Sequence, residues 1–387
     1  MNATTRLIVD LVAIDSVNPD LDAGAVGEAE IAAVLARRCA AIGLDVRLQE
    51  VAPGRPNVVA TRRGTGGGRS LLLNGHTDTV GHGGMGSPPV ATLDGDRLTG
   101  RGAWDMKGSL AAMLLAAEAL AAEALAAEAL VGEGLRGDLI LAFVADEEFA
   151  SVGTQALVRE VSADLAIITE PTGLELTIAH KGFVWAQIET RGRAAHGSRP
   201  DEGIDAIVGM GPVLTGLGEL ERALAAGPRH PLLGPASVHA SLIAGGVELS
   251  TYPDRCLLDV ERRTIPGETR ESVEAELSSL LDRARAALPG LEVALRMGID
   301  RLPFEIDPRH ELVALVAVAV ERETGAPPTL TGAGGWMDSA LLATAGIPTV
   351  VLGPSGGGAH ADDEWVSVAS VEACARIYAD VARAVCE

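Results

Sequence analysis

Histidine and carboxylate side chains recur in this chain just after short apolar runs, where they could bind a metal ion or move a proton. The residues placed in this way are His76, Asp78, Asp146, Glu147, Glu148, Glu170 and His360. All of them offer oxygen or imidazole nitrogen, the donors that zinc and similar divalent ions take in proteins. Ligands collect at the carboxyl ends of the strands in an open α/β sheet, so these side chains can meet in one site. The pattern indicates a pair of zinc-like ions that share a bridging carboxylate.

Each of these motifs has a simpler structural explanation when it is taken alone. His76 and Asp78 point to the same side of an extended chain, so Asp78 could bind the second ring nitrogen of His76 or orient a catalytic base. Asp105 lies in a glycine-framed loop that opens a helix, where it could act as an ordinary helix cap. The adjacent acids 146–148 repel each other and need a compensating positive charge unless water surrounds them. The metal site is favoured by their combination.

The elements that must position these residues form two regions of different pattern. In the first, the predicted strands are 45–51, 57–62, 71–73, 139–144, 165–169 and 349–352, and the predicted helices are 5–14, 25–42, 308–324 and 368–386. In the second, strands at 184–191, 236–244, 256–262 and 292–297 combine with helices near 203–226 and 268–287. We therefore predict an α/β catalytic domain, 1–181 and 297–387, with a mostly parallel mixed sheet flanked by helices, and an inserted α+β sandwich, 182–296.

A five-residue repeat, Ala-Ala-Glu-Ala-Leu, occurs three times across 116–130. Its residues are strong helix formers, so one helix is predicted from about 107 to 131. Because five residues do not match the 3.6-residue turn, Glu118, Glu123 and Glu128 rotate around the helix axis. The C-terminal half of this helix is therefore expected to project into solvent. A tolerated lengthening of a surface helix explains the repeat, and a partner-binding helix is the alternative.

Composition excludes several classes of function. The chain has 387 residues, enough for two domains, and its 53 acidic against 31 basic residues give a net charge of −22. This balance argues against nucleic acid and against anionic membranes as partners. We find neither a secretory signal nor an uncharged apolar run long enough to span a bilayer, so a cytoplasmic protein is expected. The four cysteines are expected to be reduced, buried thiols; they are Cys39, Cys256, Cys374 and Cys386.

Five motifs, taken in this order, resemble those of the co-catalytic zinc amidohydrolases and metallopeptidases. They are NGHTDTV (74–80), GRGAWDMKG (100–108), ADEE (145–148), TEPT (169–172) and GGGAHADDEWV (356–366). This family includes acetylornithine deacetylase, succinyl-diaminopimelate desuccinylase, aminoacylase and glutamate carboxypeptidase. The resemblance extends from SVNP at 16–19 to the C-terminal histidine motif. It implies a zinc-peptidase-like catalytic domain with an inserted lid or dimerisation domain.

The resemblance also implies a role for each residue that matches a motif. The implied metal ligands are His76 and Glu170 on one ion, Glu148 and His360 on the other, and Asp105 on both. Glu147 would be the general base that takes a proton from a metal-bridging water and passes it to the leaving amine. Asp78 would lie beside His76 as its supporting partner. The two ions are expected to be Zn²⁺, with Co²⁺ as the alternative.

The inserted domain contributes two further candidates. His196, in the run 193–200, resembles the lid histidine that stabilises the developing oxyanion, in dimeric members from the partner subunit. Arg263 matches the arginine that binds the substrate carboxylate. A solvent-exposed loop histidine and a surface arginine are the simpler interpretations. The resemblance also implies a homodimer through the inserted domain.

Two further segments bear on the substrate. The segment 332–338 resembles a loop near the substrate. The run Ser250-Thr251-Tyr252-Pro253 lacks an Asn that family members often carry, and this departure weighs against a strict desuccinylase.

Three functional hypotheses follow. The first is metal-dependent hydrolysis of the amide bond of an N-acyl amino acid, as in acetylornithine deacetylase and succinyl-diaminopimelate desuccinylase. The second is a carboxypeptidase or dipeptidase that uses the same residues in the same roles on a peptide. The third is a catalytically silent binding protein, which predicts the loss of Glu147 or of a metal ligand. Because all of these residues are present, the third hypothesis is the weakest.

Overall fold

The long apolar runs of the sequence become the central strands of a sheet in the computed structural model, which describes residues 1–86, 90–129 and 134–387, without the side chains of 126–129. The chain divides into two units. Unit 1 comprises Met1–Ile178, Ile306–Thr331 and Met337–Glu387, and unit 2 comprises Ala179–Glu305 and Gly332–Trp336. Unit 2 therefore begins at 179 rather than 182, ends at 305 rather than 296, and takes a short piece of the later chain.

The helices of the described residues are α1 (Ala3–Val12), α2 (Ala29–Ala41), α3 (Gly108–Ala129), α4 (Val152–Glu160), α5 (Ala206–Ala226), α6 (Arg270–Ala287), α7 (Glu311–Thr324), α8 (Ser339–Thr344) and α9 (Val368–Cys386). The strands are β1 (Asp45–Ala52), β2 (Arg55–Arg62), β3 (Leu71–His76), β4 (Thr92–Asp94), β5 (Arg97–Thr99), β6 (Leu139–Val144), β7 (Leu165–Ile168), β8 (Leu176–His180), β9 (Gly182–Arg191), β10 (Arg229–His230), β11 (Gly234–Pro235), β12 (Ser237–Gly245), β13 (Arg255–Thr264), β14 (Glu292–Arg301), β15 (Phe304–Glu305), β16 (Leu330–Ala333), β17 (Thr349–Val351), β18 (Gly356–Gly357) and β19 (Trp365–Ser367).

Unit 1 is built on a mixed sheet whose middle strands are parallel. Seven strands lie side by side in the order β1-β2-β6-β3-β7-β17-β8. β3 pairs in parallel with both β6 and β7, and β17 pairs in parallel with β7. Every residue of β3 and β6 is buried, as expected for strands covered on both faces. The predicted fold class is confirmed, and the carboxyl ends of β6, β3, β7 and β17 meet along one edge of the sheet.

A second, small sheet of unit 1 joins two distant parts of the chain. Its strand order is β18-β19-β5-β4, so the segment after β17 pairs with the segment before α3. Trp365 lies opposite Thr99, and Val366 lies opposite Leu98. Strands of two or three residues are too short to show a sequence period, which is why these four were not predicted. This sheet holds the loop that carries His360.

The repeat helix α3 is a core helix over its first half. Ala116, Ala117 and Leu120 are buried, whereas Leu125 is 71% exposed. Exposure toward the C-terminal end is thus confirmed as far as 125, and the Glu128 side chain and residues 130–131 lie outside the described residues. Ala103–Leu125 is long and apolar enough to cross a membrane by length and composition, yet 56% of its most apolar window is buried inside the protein. Since α9 packs along it, we assign it to the core of unit 1.

Unit 2 contains an antiparallel sheet with two helices packed against it. The strand order is β12-β13-β9-β14, and α5 and α6 pack against these strands. Along β9 and β13 buried residues alternate with more exposed ones, so one face contributes to the core and the other stays open. Side chains such as Ile188, Val213, Leu258 and Leu277 form the core between the sheet and the helices.

The four cysteines are free and buried, as the sequence analysis expected.

Candidate metal centre

The parallel strands of unit 1 bring the predicted site residues together at one edge of the sheet. His76 is the last residue of β3. The acidic turn 146–148 follows β6, and Glu170 follows β7. Because β6, β3 and β7 are neighbours and run in the same direction, their ends place these side chains side by side. Asp105 and His360 reach the same place from loops outside the main sheet.

Five of these residues form two groups that share one member. In the first group, His76 Nε2 lies 3.0 Å from Asp105 Oδ1 and 3.5 Å from Glu170 Oε1. In the second, His360 Nε2 lies 3.1 Å from Glu148 Oε2 and 3.5 Å from Asp105 Oδ2. Within each group the possible ligand atoms all lie within 4.8 Å of one another. Asp105 therefore presents one oxygen to each group, as a bridging ligand must.

The side chains of the two groups are better suited to binding divalent metal ions than to satisfying one another by hydrogen bonds. Glu148 Oε1 is buried and, among the described residues, has no hydrogen-bond partner. A buried carboxylate oxygen without a partner is costly, and a cation would satisfy it. Three carboxylates and two imidazoles are also the mixture of oxygen and nitrogen donors that zinc takes. In such a pair, His76, Asp105 and Glu170 would hold one ion, and Asp105, Glu148 and His360 the other.

The side chains of the two groups shift the pKa values of one another. Hydrogen bonds to Asp105 and Glu148 raise the pKa of His360 to about 10. Burial works against protonation of His76, but the Glu170 carboxylate and Asp105 raise its pKa well above the usual value. Burial, together with the carboxylates of Asp105 and Glu148, raises the pKa of Glu170 to about 8. At neutral pH both histidines therefore carry protons that a metal ion must displace.

Metal binding is accordingly expected to release protons and to weaken as the pH falls. Because the pKa values of His76 and His360 are raised, acidification keeps both rings protonated, and the affinity for Zn²⁺ should drop about tenfold per pH unit for each displaced proton. Isothermal titration calorimetry in buffers of different ionisation enthalpy measures the number of protons released. His360→Asn should release fewer than the wild type, whereas His239→Asn, on β12, should not differ from it. A pH-independent affinity would contradict this assignment.

Asp105 is held by a buried carboxylate that the sequence analysis did not single out. Asp105 lies in an irregular turn, 103–107, just before α3, and its own φ and ψ of −113° and 89° are not helical. Glu364, only 1% exposed, accepts from the amide of Asp105 at 3.0 Å and from the amides of Gly102 and Trp104 at 2.9 and 3.0 Å. A side chain at Gly102, which has φ 74°, would meet Thr79 Cγ2 at 2.7 Å, so glycine is required there. Glu364 thus accepts the amide hydrogen bonds that a helix cap would accept, and the Asp105 side chain is directed to the two histidines.

Arg101 links the same carboxylate to the loop of the second histidine. Its Nη1 donates to Glu364 Oε2 at 2.7 Å, and its Nη2 donates to the carbonyl oxygen of His360 at 3.4 Å. Arg101 is 2% exposed, so this ion pair is buried. Both residues lie within the quoted motifs 100–108 and 356–366, but neither offers a metal ligand, and spacing alone did not reveal their contact.

Asp78 contacts both the ring of His76 and the acidic turn 146–148. His76 Nδ1 donates to the backbone carbonyl of Asp78 at 2.9 Å, whereas the carboxylate oxygen Oδ1 is 3.6 Å away. The Asp78 carboxylate instead accepts from the amides of Glu147 at 3.1 Å and Glu148 at 3.2 Å. The Asp78 carboxylate therefore lies beside His76 at ion-pair distance, while its hydrogen bonds go to the amides of the acidic turn. The other option, that Asp78 orients the catalytic base, fits these contacts.

The positive charge required beside the three adjacent acids is Arg55. Its Nη2 donates to Asp146 Oδ1 at 3.0 Å and to Glu28 Oε1 at 2.6 Å, and Glu28 is fully buried. Asn18 donates to the carboxylates of both Asp146 and Asp78, at 3.0 and 2.8 Å. Asp146 thus pairs with Arg55, while Glu148 belongs to the second candidate ligand group. Repulsion among the acids predicted a nearby cation, but nothing in the surrounding sequence indicates that Arg55, 91 residues from Asp146, supplies it.

Two acids of this turn, Asp146 and Glu147, belong to neither ligand group, and Asp146 is the one paired with Arg55. Burial and the nearby Glu170 carboxylate raise the pKa of Glu147 well above the usual value. Such a shift increases the proton affinity of a carboxylate and suits a general base.

A further buried acid, Asp338, accepts from Thr154 Oγ1 at 2.5 Å, and burial raises its pKa to about 6. Asp338 is the last residue of the segment 332–338, whose contacts could not be assigned from the sequence.

The two remaining candidates lie in unit 2. His196 is exposed, with its Nδ1 2.8 Å from Ser198 Oγ. Arg263 lies near the end of β13, and its Nε donates to Glu261 Oε1 at 2.6 Å. Neither belongs to the two ligand groups.

Comparison with known proteins identifies the family. The model of peptidase family M20/M25/M40 matches residues 72–384. The succinyl-diaminopimelate desuccinylase of Paracidovorax citrulli is 32% identical over 402 residues, covering 98% of this chain and 96% of the relative. The N-formyl-4-amino-5-aminomethyl-2-methylpyrimidine deformylase of Halalkalibacterium halodurans is 30% identical, covering 86% and 83%. The crystal structure of aminopeptidase PepT from Bacillus cereus shares the fold, with a TM-score of 0.81, 20% identity and coverage of 99% and 98%.

These matches confirm the family that the five motifs indicated. They cover both the strand-end ligands and the chain that forms unit 2. The chain belongs to peptidase family M20/M25/M40 and is an amidohydrolase with a candidate two-metal centre.

Proposed function

We propose that the protein hydrolyses the amide bond of an N-acyl amino acid and releases a carboxylic acid and the free amino acid. The observation that carries this proposal is the pair of ligand groups sharing Asp105, with the acid Glu147 beside them and outside both. Two relatives support removal of an acyl group, since one is named a desuccinylase and the other a deformylase. Those names describe the relatives, and the acyl group that this protein removes is part of the proposal.

The proposed reaction assigns a task to each residue of the site. The five ligands His76, Asp105, Glu148, Glu170 and His360 would hold two divalent ions, Zn²⁺ in the first instance and Co²⁺ as the alternative. Bound there, the ions supply Lewis acidity that polarises the amide carbonyl and makes water more acidic.

Glu147 acts as the base. It takes a proton from the attacking water, whose oxygen adds to the carbonyl carbon, and then returns that proton to the nitrogen as the carbon–nitrogen bond breaks. Asp78 and Asn18 keep the base in place: Asp78 binds the amide of Glu147 at 3.1 Å, and Asn18 donates to Asp78 at 2.8 Å. A base held by backbone contacts needs little rearrangement during the reaction.

The residues of unit 2 are proposed to bind the substrate. Arg263 would pair with the α-carboxylate of the amino acid, a contact for which a guanidinium is well suited. His196 would donate to the oxyanion that forms as water adds to the carbonyl.

A homodimer through unit 2 is part of the same proposal. β12 forms one edge of the sheet of unit 2. The apolar side chains of Ile243, Val247 and Leu249, on and just after this strand, are 56%, 89% and 108% exposed. An exposed apolar sheet edge favours pairing with another copy of the chain.

We also propose that the enzyme works in the cytoplasm, where its free cysteines stay reduced.

A peptidase is the second candidate, because the aminopeptidase PepT shares the fold and the same site could attack a peptide bond.

A substrate panel distinguishes the amino-acid deacylase from the peptidase. The Zn²⁺- and Co²⁺-loaded protein is offered N-acetyl-, N-succinyl- and N-formyl-amino acids beside dipeptides, and free amine is measured. We expect turnover of acylated amino acids that is lost in Glu147→Ala. Turnover confined to dipeptides would favour the peptidase, and no turnover with two metal ions bound would contradict both.

A further inference from the structure

A chain of buried hydrogen bonds in unit 1 joins the segments that carry the candidate site. Its members are Asn74, Thr154, Thr169 and Asp338, and each is at most 2% exposed. Asn74 Nδ2 donates to Thr154 Oγ1 at 3.3 Å, and Thr154 Oγ1 donates to Asp338 Oδ2 at 2.5 Å. The backbone carbonyl of Asn74 accepts from Thr169 Oγ1 at 3.1 Å. We call these four residues the buried network.

The three neutral members of the buried network each lie close in sequence to the site. Asn74, on β3, is two residues before His76, and Thr169 directly precedes Glu170. Thr154 lies in the first turn of α4, the helix that follows the acidic turn. The network therefore links the segments of two candidate ligands to the turn that carries the proposed base.

The start of α4 is bonded directly to the acidic turn. The amide of Ser151 donates to the carbonyl of Asp146 at 2.5 Å, and the amide of Gly153 donates to the carbonyl of Ala145 at 3.1 Å. A side chain at Gly153 would meet that carbonyl oxygen of Ala145 at 2.3 Å, so only glycine allows this close approach. Because Glu147 follows Asp146 in the chain, a shift of α4 would also shift the backbone of the base.

Asp338 does not have the usual task of an acid at the start of a helix. It directly precedes α8, where an aspartate commonly accepts a hydrogen bond from a helix amide. Its carboxylate makes no such bond, and Oδ2 binds the hydroxyl of Thr154 instead. The other oxygen, Oδ1, is buried and has no hydrogen-bond partner within the part of the chain that the structure describes. Since an unpaired buried carboxylate oxygen destabilises a fold, neither helix capping nor stability accounts for Asp338.

Asp338 is close to the proposed base without being a candidate ligand. It belongs to neither ligand group, yet its charge acts on the carboxyl groups of both Glu147 and Glu170. The distance of 2.5 Å between Thr154 Oγ1 and Asp338 Oδ2 is that of a hydrogen bond from a hydroxyl to an ionised carboxylate, which is about twice as strong as a neutral one. Asp338 therefore binds the first turn of α4 tightly.

We propose that Asp338 is a positioning residue for Glu147 and acts through Thr154 and the first turn of α4. Asp78 binds the amide of Glu147 itself, and Asp338 binds the helix that follows, so the turn of the base is held at two points. This inference rests on the proposed function, because it concerns the base of that reaction. It gives a task to the last residue of the segment 332–338.

The kinetics of a variant at this position test the proposed role. Asp338→Ala should lower kcat about 10–100-fold on the best substrate of the panel, because the base is less well placed. KM should change by less than about twofold, and plasma mass spectrometry should still find two metal ions, since neither a substrate contact nor a ligand is lost. Wild-type kcat in folded Asp338→Ala protein, or the loss of a metal ion, would overturn the inference.

Variants of Thr154 separate this hydrogen bond from general damage and keep the test open if Asp338→Ala does not fold. Thr154→Val removes the hydroxyl and should lower kcat as Asp338→Ala does, whereas Thr154→Ser keeps the hydroxyl and should retain most of the rate. The double variant of Asp338→Ala with Thr154→Val should be no slower than either single variant, because both remove the same contact. Fully additive losses would contradict the inference.

Thr190→Val is the matched control for these variants. It removes another buried hydroxyl, which donates to the carbonyl of Ala206 at 2.8 Å within unit 2, and it should keep the wild-type kcat. A comparable loss of rate in this control would show that the kinetic effect is not specific to the buried network.

Amide hydrogen exchange measures the same contact without any turnover. In the Zn²⁺-loaded protein, the amides of 146–154 should exchange about tenfold faster in Asp338→Ala and Thr154→Val than in the wild type, as the loss of one hydrogen bond to a charged group would give. The amides of β9, in unit 2, should exchange as before. Unchanged exchange at 146–154 in both variants would overturn the inference even in an active enzyme. A wild type that turns over nothing in the panel would contradict the proposed function, and the exchange would still decide the task of Asp338.

Discussion

Replacing Glu147 by glutamine should leave both metal ions bound and lower kcat by about 10² to 10⁴-fold, the usual contribution of a positioned general base. The amide has the same shape as the carboxylate but cannot accept the proton of the attacking water. Because Glu147 belongs to neither ligand group, the metal content measured by plasma mass spectrometry should stay at the wild-type value. KM should change little, since the lost interaction acts on the transition state.

The pH profile gives an independent readout of the same variant. Burial and the Glu170 carboxylate raise the pKa of Glu147, and only the deprotonated form is a base, so kcat of the wild type should rise with pH through that pKa. This acid limb should be absent in Glu147→Gln. The exposed Glu321→Gln, on α7, is the matched control and should keep both rate and profile. A Glu147→Gln enzyme that retains its rate would show that another group is the base.

Replacing Glu364 by glutamine is expected to destabilise the protein by about 3–5 kcal/mol, because Arg101 then stays buried without its charge partner. The same change should weaken metal binding by about 10–100-fold, the usual effect of losing a group that orients ligands. Glu364 is bonded to the amide of Asp105, and Arg101 to the carbonyl of His360, so both ligand groups are affected. Chemical denaturation and zinc titration measure the two effects separately.

A second substitution distinguishes ligand positioning from stability alone. Adding Arg101→Met to Glu364→Gln removes the unpaired buried charge and should recover part of the lost stability, but the affinity for zinc should stay low. Glu323→Gln breaks the more exposed pair with Arg376 and should cost less than about 1 kcal/mol with unchanged zinc binding. If Glu364→Gln bound zinc like the wild type, the carboxylate would serve stability only.

Features with a local cause were predictable from the sequence. The strand Leu139–Val144 and the helix Val368–Cys386 have the predicted bounds, because a doubly buried strand and a long amphipathic helix leave clear patterns. The five candidate ligands could be named because each follows a predicted strand or lies in a glycine-rich loop, within motifs that resemble those of a known family. Asp78 was only partly predictable: its place beside the site follows from the motif, but its hydrogen bonds to the amides of the acidic turn do not.

Features that depend on distant contacts were not predictable from one sequence. Arg55 balances Asp146 from 91 residues away, and Glu364 binds the amide of Asp105 from 259 residues away. Such pairs produce no periodic pattern and no characteristic spacing in the sequence, because only the folded chain brings the two residues together. The two-residue strands β15 and β18 are missed for a different reason, because two residues cannot show an alternation.

The position of β17 in the sheet has a consequence for the order in which the protein is made and folded. β7 and β8 follow each other in the chain, yet β17 lies between them, and the whole main segment of unit 2 is synthesised before β17 emerges. Until then the inner edge of β7 has no partner, and an unpaired edge invites association with other chains. His360 follows later still, so a nascent chain can gather one ligand group long before the other. Binding of the second metal ion is therefore expected only after β17 has paired with β7 and the loop of His360 has been synthesised.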